Sequence, residues 1–307
     1  MFLGCGLSSV KVQKKSLTLD EKVARLNPIF WGDSQSQYVG LHNNSGFQDV
    51  NLLTDRSING FNLVQTSGGI RPTYIPDGFG NKGSFSNGEL EIDPEPFNLT
   101  GDFSVAVWFN QDSLQAFRFP ISIWGSNTNF FRSFGIRNGQ NGAGMQFAVS
   151  PNGQGSQQNT NLSDKPILAN EWYMAYGYHR NGVEIGFRMF DVRGREIGVE
   201  QVASFTAGVF DTGAPFKLGA HTNIFNGQTS DAYLFDRILD NDEINTLFNY
   251  SQSFIIGEGF VSELGAEIAF EELENSKISE LGTEIVFQQT ENNQISELGT
   301  EIVFEEI

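Results

Sequence analysis

The sequence predicts an all-β protein, and three observations carry that prediction. Aromatic residues make up 13% of the 307, with 28 Phe among them, and 34 Gly together with Asn-rich turns punctuate the chain. Apolar residues recur with period 2 in segment after segment, the period that sends successive side chains to opposite faces of a strand. Tight-turn dipeptides such as Asn181-Gly182 separate those segments, as strands joined by hairpins require. The length suits one large sandwich or two ordinary domains.

Residues 1–28 are expected to form an attachment leader outside the sandwich. Met1-Phe-Leu-Gly-Cys-Gly-Leu7 is apolar but short, and it meets Lys11, Lys14 and Lys15 with no basic segment before it, which does not make a secretory signal. Val10-Lys-Val-Gln13 fits a short edge strand. Thr18-Leu-Asp-Glu21 fits a capping box, the Thr cap answered by a Glu three residues on, for a helix of two turns reaching Leu26 before Pro28.

From residue 29 to 256 the pattern is β. Phe103, Val105, Val107 and Phe109 share one face of a strand, and Gly144–Val149 forms another. Trp172, Met174, Tyr176 and Tyr178 share a face, and Val183, Ile185, Phe187 and Met189 alternate with Glu184, Gly186 and Arg188. Phe216–Leu218 and Ala232–Phe235 are further strands. One helix interrupts them: Asp240-Asn-Asp-Glu243 is a second capping box, and Ile244, Leu247 and Phe248 follow at helical spacing for about two turns.

Residues 257–307 repeat with a period of 17: Val261–Phe270 returns as Ile278–Phe287 and as Ile295–Phe304. As strands, they would put Leu264, Ile268 and Phe270, then Leu281, Ile285 and Phe287, then Leu298, Ile302 and Phe304 on one apolar face, with Glu on the reverse. Three such side chains contribute about 6 kcal/mol per repeat on burial, against about 15 kcal/mol for ordering ten residues. The apolar positions are therefore expected to be an interface, closed against other subunits or a larger particle.

The net charge of −18 is uneven, because residues 261–307 alone hold twelve Glu, no Asp and one Lys. So acidic a chain, with no basic stripe, disfavours nucleic acid. A single cysteine, Cys5, excludes an intramolecular disulfide, and no apolar run reaches membrane-spanning length. Neither nucleic acid nor membrane is expected as a partner.

The ordered segments carry a family likeness. Leu26-Asn-Pro-Ile-Phe-Trp31, Asp55–Phe61, Arg71–Tyr74 and Gly83–Glu91 resemble the opening of laminin-G-like domains. Leu99–Trp108, Ile123-Trp-Gly125, Asn170–Tyr173, Phe216–Ala220, Phe225-Asn-Gly227 and Phe235–Ile244 continue the resemblance in the family's order across residues 29–250. It implies a concanavalin A-like jelly roll, two antiparallel sheets packed as a sandwich. The repeats resemble the Ser-x-Leu-Gly-x-Glu-Val-x-Tyr tails of bacteriophage structural proteins, with Ile for Val and Phe for Tyr.

Four groups of residues were candidates for chemistry. Trp124, Asn127, Asn129 and Phe131, an aromatic platform with amides beside it, is the arrangement a glycan would use. Asp211 and Asp231 are where the resemblance would put calcium, the one metal considered; no other cofactor is expected. Glu91-Ile-Asp-Pro-Glu95 resembles the Glu-x-Asp-x-Glu of retaining glucanases, in which Glu91, Asp93 and Glu95 would share a strand face as nucleophile, helper and acid/base, but Pro94 and Pro96 argue against a central strand. His42, His179 and His221 form no metal-binding spacing.

The expectation is a non-catalytic bacteriophage structural protein on the virion surface: leader 1–28, jelly roll 29–256, repeats 257–307. Its expected partners are other virion proteins, further copies of itself (a trimer by analogy with phage fibres) and a host-surface glycan. A glycan-cleaving enzyme using Glu91, Asp93 and Glu95 is the alternative, and a bacterial surface adhesin is a third reading.

Overall fold

The computed structural model describes residues 17–42, 49–65, 71–94, 96–124, 132–139, 144–153, 165–211, 213–220 and 224–255. The chain divides into two units, Met1–Ile255 and Ile256–Ile307. The second, with the repeats and their nine interface positions, lies outside the described residues.

The strands are β1 (Phe30–Gly32), β2 (Val39–His42), β3 (Asp49–Leu53), β4 (Leu63–Val64), β5 (Thr73–Phe79), β6 (Lys82–Ser86), β7 (Leu90–Ile92), β8 (Phe103–Gln111) and β9 (Ile121–Trp124). They continue as β10 (Arg132–Asn138), β11 (Gly144–Val149), β12 (Lys165–Pro166), β13 (Trp172–Arg180), β14 (Glu184–Asp191), β15 (Gln201–Ser204), β16 (Phe216–Leu218) and β17 (Gly227–Phe235). Helix α1 (Leu19–Arg25) precedes them and α2 (Asn241–Ile255) follows.

All pairings are antiparallel. One sheet runs β5-β6-β17-β8-β13-β14-β15, with β1 also along β17. The other runs β2-β3-β4-β7-β16-β9-β10-β11-β12. The pairing of Asp49 with Thr73 joins them at a corner, and a bridge from Gly32 of β1 reaches Asp55 just beyond β3. The expected two-sheet antiparallel sandwich is the observed architecture.

Alternation builds the layer between the sheets. Phe103, Val105, Val107 and Phe109 of β8 and Ile185, Phe187 and Met189 of β14 face Ile121, Ile123, Phe134, Ile136, Met145 and Phe147 of the second sheet, all fully buried. Each such side chain contributes about 1.5–3 kcal/mol. The hairpin from β13 to β14 turns at Asn181-Gly182, where Gly182 takes a φ of 71° and the Val183 amide donates to the Arg180 carbonyl at 3.0 Å.

The opposite face of the first sheet is also apolar. Ala106 and Trp108 of β8, Met174, Tyr176 and Tyr178 of β13, and Tyr233 and Phe235 of β17 pack with Ile244, Leu247, Phe248 and Tyr250 of α2 and Val23 of α1. This is the face the sequence marked with Trp172, Met174, Tyr176 and Tyr178; it points away from the second sheet and is roofed by the helices. Both capping boxes form: Glu21 N–H donates to Thr18 Oγ1 at 3.2 Å and Glu243 N–H to Asp240 Oδ1 at 2.9 Å.

Two expectations change here. Helix α2 has 15 residues, not two turns, because Tyr250 and Phe254 continue its apolar stripe against the sandwich. The leader does not stay outside the fold through residue 28: Val23 is fully buried under α2, and Asp20 pairs with Arg56 at 2.6 Å. Residues 17–28 belong to the folded body.

Candidate functional site

The second sheet's outward face is polar and partly roofed by one loop. Inward Ile121 and Ile123 leave Ser122 and Trp124 of β9 pointing outward, and inward Phe134 and Ile136 leave Gly135 and Arg137 of β10 doing the same. Residues 112–120 fold back over this face. Phe119 lies against Gly135, where an added Cβ would sit 2.6 Å from its ring, and it packs on Trp124 with centroids 5.7 Å apart. The Arg137 guanidinium is 5.5 Å from the Trp124 ring centre, within reach of a cation–π contact.

Seating Phe119 fixes its neighbour Arg118 at the sandwich rim. Arg118 O accepts from the Asn138 amide at 3.0 Å. Its side chain donates from Nε and Nη2 to Gln115 Oε1 at 3.0 and 2.7 Å, and from Nη1 to the Ile224 carbonyl at 3.4 Å. Gln115 and Asn226 both donate to Ser113 Oγ, at 3.1 and 2.5 Å. Together with the Asn87 turn and buried Phe225, these residues line a cavity of about 260 Å³: Asn87, Gln115, Arg118, Ile224, Phe225 and Asn226. Amides offer a donor and an acceptor each, and a guanidinium offers donors in a fixed fork. Such a wall suits hydroxyl or carboxylate groups of a ligand and, among the described residues, is lined by no side chain of acid–base or nucleophilic character.

The residues singled out in the sequence fall elsewhere. Trp124 ends β9 and is 2% exposed, so it is packed beneath Phe119 and is no surface platform; Asn127, Asn129 and Phe131 lie outside the described residues. Asp211 is exposed. Asp231 is fully buried on β17 and committed to Lys82, whose Nζ is 2.6 Å from its Oδ1, so it is not open to calcium. Among the described residues no three His, Cys, Asp or Glu gather as a metal site. His179 is buried against Phe103 and Phe205, with Nδ1 3.0 Å from the Gly101 carbonyl oxygen.

The carboxylate motif is broken up. Glu91 lies on β7, half-buried, and pairs with Lys217 at 3.1 Å; Glu89 pairs with the same Lys at 3.0 Å. Burial pushes the Lys217 pKa down, but the two carboxylates outweigh it and hold the ammonium. The strand ends at Ile92, Asp93 is exposed beyond it, and Glu95 lies outside the described residues.

Asp231 belongs to a buried polar cluster. Lys82 Nζ contacts Asp33 Oδ1 at 2.8 Å as well as Asp231, and all three side chains are fully buried. Ser251 and Tyr233 donate to Asp231; Tyr250, Arg56 and the Gln35 amide donate to Asp33. Burial and the nearby Asp33 push the Asp231 pKa up against the pull of Lys82. For Asp33 burial acts the same way, but Lys82, Tyr250 and Gln35 prevail and keep its pKa below the ordinary value.

Sequence reasoning did not single out the cavity or this cluster. Each gathers residues from three or more distant segments; Asn87-Gly88 and Asn226-Gly227 stood out only as parts of the family-like segments, and Asp231 only as a calcium candidate.

The laminin-G family profile, described as the concanavalin A-like lectin/glucanases superfamily, matches residues 82–245. No curated protein matches the sequence. Among solved structures, a GH54 α-L-arabinofuranosidase mutant soaked with 4-nitrophenyl α-L-arabinofuranoside is 10% identical, with a TM-score of 0.50 over 75% of this chain and 64% of that one. The binding domain of Paraclostridial Mosquitocidal Protein 1 is 14% identical, with a TM-score of 0.47 over 74% and 53%. The binding domain of botulinum neurotoxin DC, in complex with rat synaptotagmin II, is 16% identical, with a TM-score of 0.44 over 74% and 52%. The chain thus spans about half the length of these two binding domains. With the profile matched over more than half of its residues, the chain belongs to the concanavalin A-like lectin/glucanase superfamily.

Proposed function

We propose that the chain is a non-catalytic glycan-binding module displayed on a virion surface, taking a host-surface saccharide at the rim cavity. The observation that carries the binding reading is the cavity wall, three amide side chains and one guanidinium held in place by Gln115 and by Phe119 on Gly135. Sugar hydroxyls pair with such groups without any chemical step. A retaining glycosidase needs two carboxyl groups about 5–5.5 Å apart across the scissile bond. Here Glu91 is engaged by Lys217, and Asp93 lies beyond the strand.

The virion setting rests on the C-terminal repeats and their resemblance to phage tails. Their apolar faces would dock the module on neighbouring copies or on the particle.

The test is binding of the full chain to immobilised bacterial capsule and lipopolysaccharide glycans, with and without a calcium chelator. Binding should survive chelation and fall at least tenfold in Arg118→Ala and in Asn226→Ala, each with unchanged melting temperature. Turnover of any bound glycan that disappears in Glu91→Gln would establish the enzyme reading instead. Immunolabelling of purified particles tests the virion setting separately.

A further inference from the structure

We propose that Lys82 and Asp231 condense to an intramolecular amide, a covalent cross-link between the adjacent strands β6 and β17. The reacting groups are in contact: Lys82 Nζ lies 2.6 Å from Asp231 Oδ1 and 2.7 Å from Oδ2, so the nitrogen bridges both oxygens of the carboxyl it would join. Both side chains are fully buried, so water is kept from the site and proximity replaces a collision.

The surrounding groups divide into the roles the reaction needs. Asp33, 2.8 Å from the same nitrogen, is anchored as a carboxylate by Arg56, Tyr250 and Gln35 and is the base. Asp231 is the carboxyl that burial drives toward its neutral, electrophilic form. The Ser34 amide, 3.2 Å from Asp231 Oδ1, is placed to stabilise negative charge developing there. Ser251 Oγ donates to Oδ2 at 2.6 Å, beside the oxygen that departs. Tyr250 and Phe254 present their rings to the nitrogen at 4.5 and 4.6 Å and complete the enclosure.

The step balances without any co-reactant. One ammonium proton passes to Asp33, and the freed amine attacks Cγ of protonated Asp231. The C–N bond forms as Cγ–Oδ2 breaks. The hydroxyl leaves as water with the second ammonium proton, and the third stays on the amide nitrogen. The Lys82 ammonium and the Asp33 carboxylate, charges that burial disfavours, become a neutral amide and a neutral carboxyl that still accepts from Arg56. In a chain with a single cysteine, this bond would supply the covalent closure that a disulfide supplies elsewhere.

The experiment is the mass of the intact, denatured full chain, followed by tryptic mapping. The chain should be lighter than its sequence by one water, with the Lys82 peptide joined to the Asp231 peptide. Lys82→Arg, which keeps the charge but cannot form the amide, and Asp33→Asn, which removes the base, should both show their full sequence mass. A wild-type chain at full sequence mass overturns the proposal whatever the variants do, and so does a water loss mapped to any other pair.

Discussion

The two outward faces of the sandwich are built on opposite plans. That of the first sheet carries Trp108, Tyr176, Tyr178 and Tyr233 and is roofed by the chain's own helices. That of the second carries Ser122, Arg137 and Gln146, and its apolar cluster is three residues, Phe119, Trp124 and Ala148. The first face is closed by secondary structure, so its side chains are answerable to stability. The second has residues 112–120 folded over it, and that loop also carries two of the cavity residues, Gln115 and Arg118. On the proposed function, stability and recognition fall on different sides of one scaffold.

The largest effect should follow from opening the helix-roofed face. Trp108 packs against Phe79 and Phe248 with ring centroids 5.1 and 5.5 Å away. Trp108→Ala should destabilise the body by about 3–5 kcal/mol, measured by denaturant unfolding. A loss below about 1 kcal/mol would mean that α2 does not pack as a structural layer.

A smaller effect is expected on the other side. Gly135→Val would push Phe119 off the sheet and cost about 1–3 kcal/mol, while displacing Arg118. It should weaken glycan binding more than Trp108→Ala does in the fraction that stays folded. Equal losses of binding in the two variants would erase the distinction between the faces.

The mildest effect belongs to the layer both faces share. Burial lowers the His179 pKa from its ordinary 6.5, so the folded chain favours the neutral ring. The unfolded chain then takes up the proton first, and the stability due to this group is complete above pH 6.5 and declines as the pH falls below it. His179→Phe should flatten that decline between pH 7 and 5 in thermal melts; an unchanged slope would assign it to other groups.

What the sequence disclosed follows from how local each signal is. The strand of Phe103, Val105, Val107 and Phe109 was legible because alternation needs only its own residues, and both capping boxes because cap and answer stand three apart. Trp108 and Tyr176 were legible as apolar, but not as a second, helix-covered layer, since that depends on α2 docking. The length of α2 was hidden because polar Asn249, Gln252 and Ser253 interrupt its stripe. Residues 17–28 looked separable because only Val23 and Pro28 are buried among them. The cavity draws on residues near 87, 115 and 225, and the buried charges on 33, 82 and 231, separations that no periodicity spans.

The pairing of β1 with β17, Phe30 against Leu234, has a consequence for biogenesis. The central strand β8 also has β17 as one of its two neighbours, so from residue 111 until synthesis passes residue 227 it presents an unpaired edge. Contacts this distant in sequence slow folding, and a partly made chain of this topology exposes strands able to recruit other nascent chains. The first sheet can close only when β17 emerges from the ribosome, so a truncation or stall before residue 227 should yield aggregate and not a smaller domain.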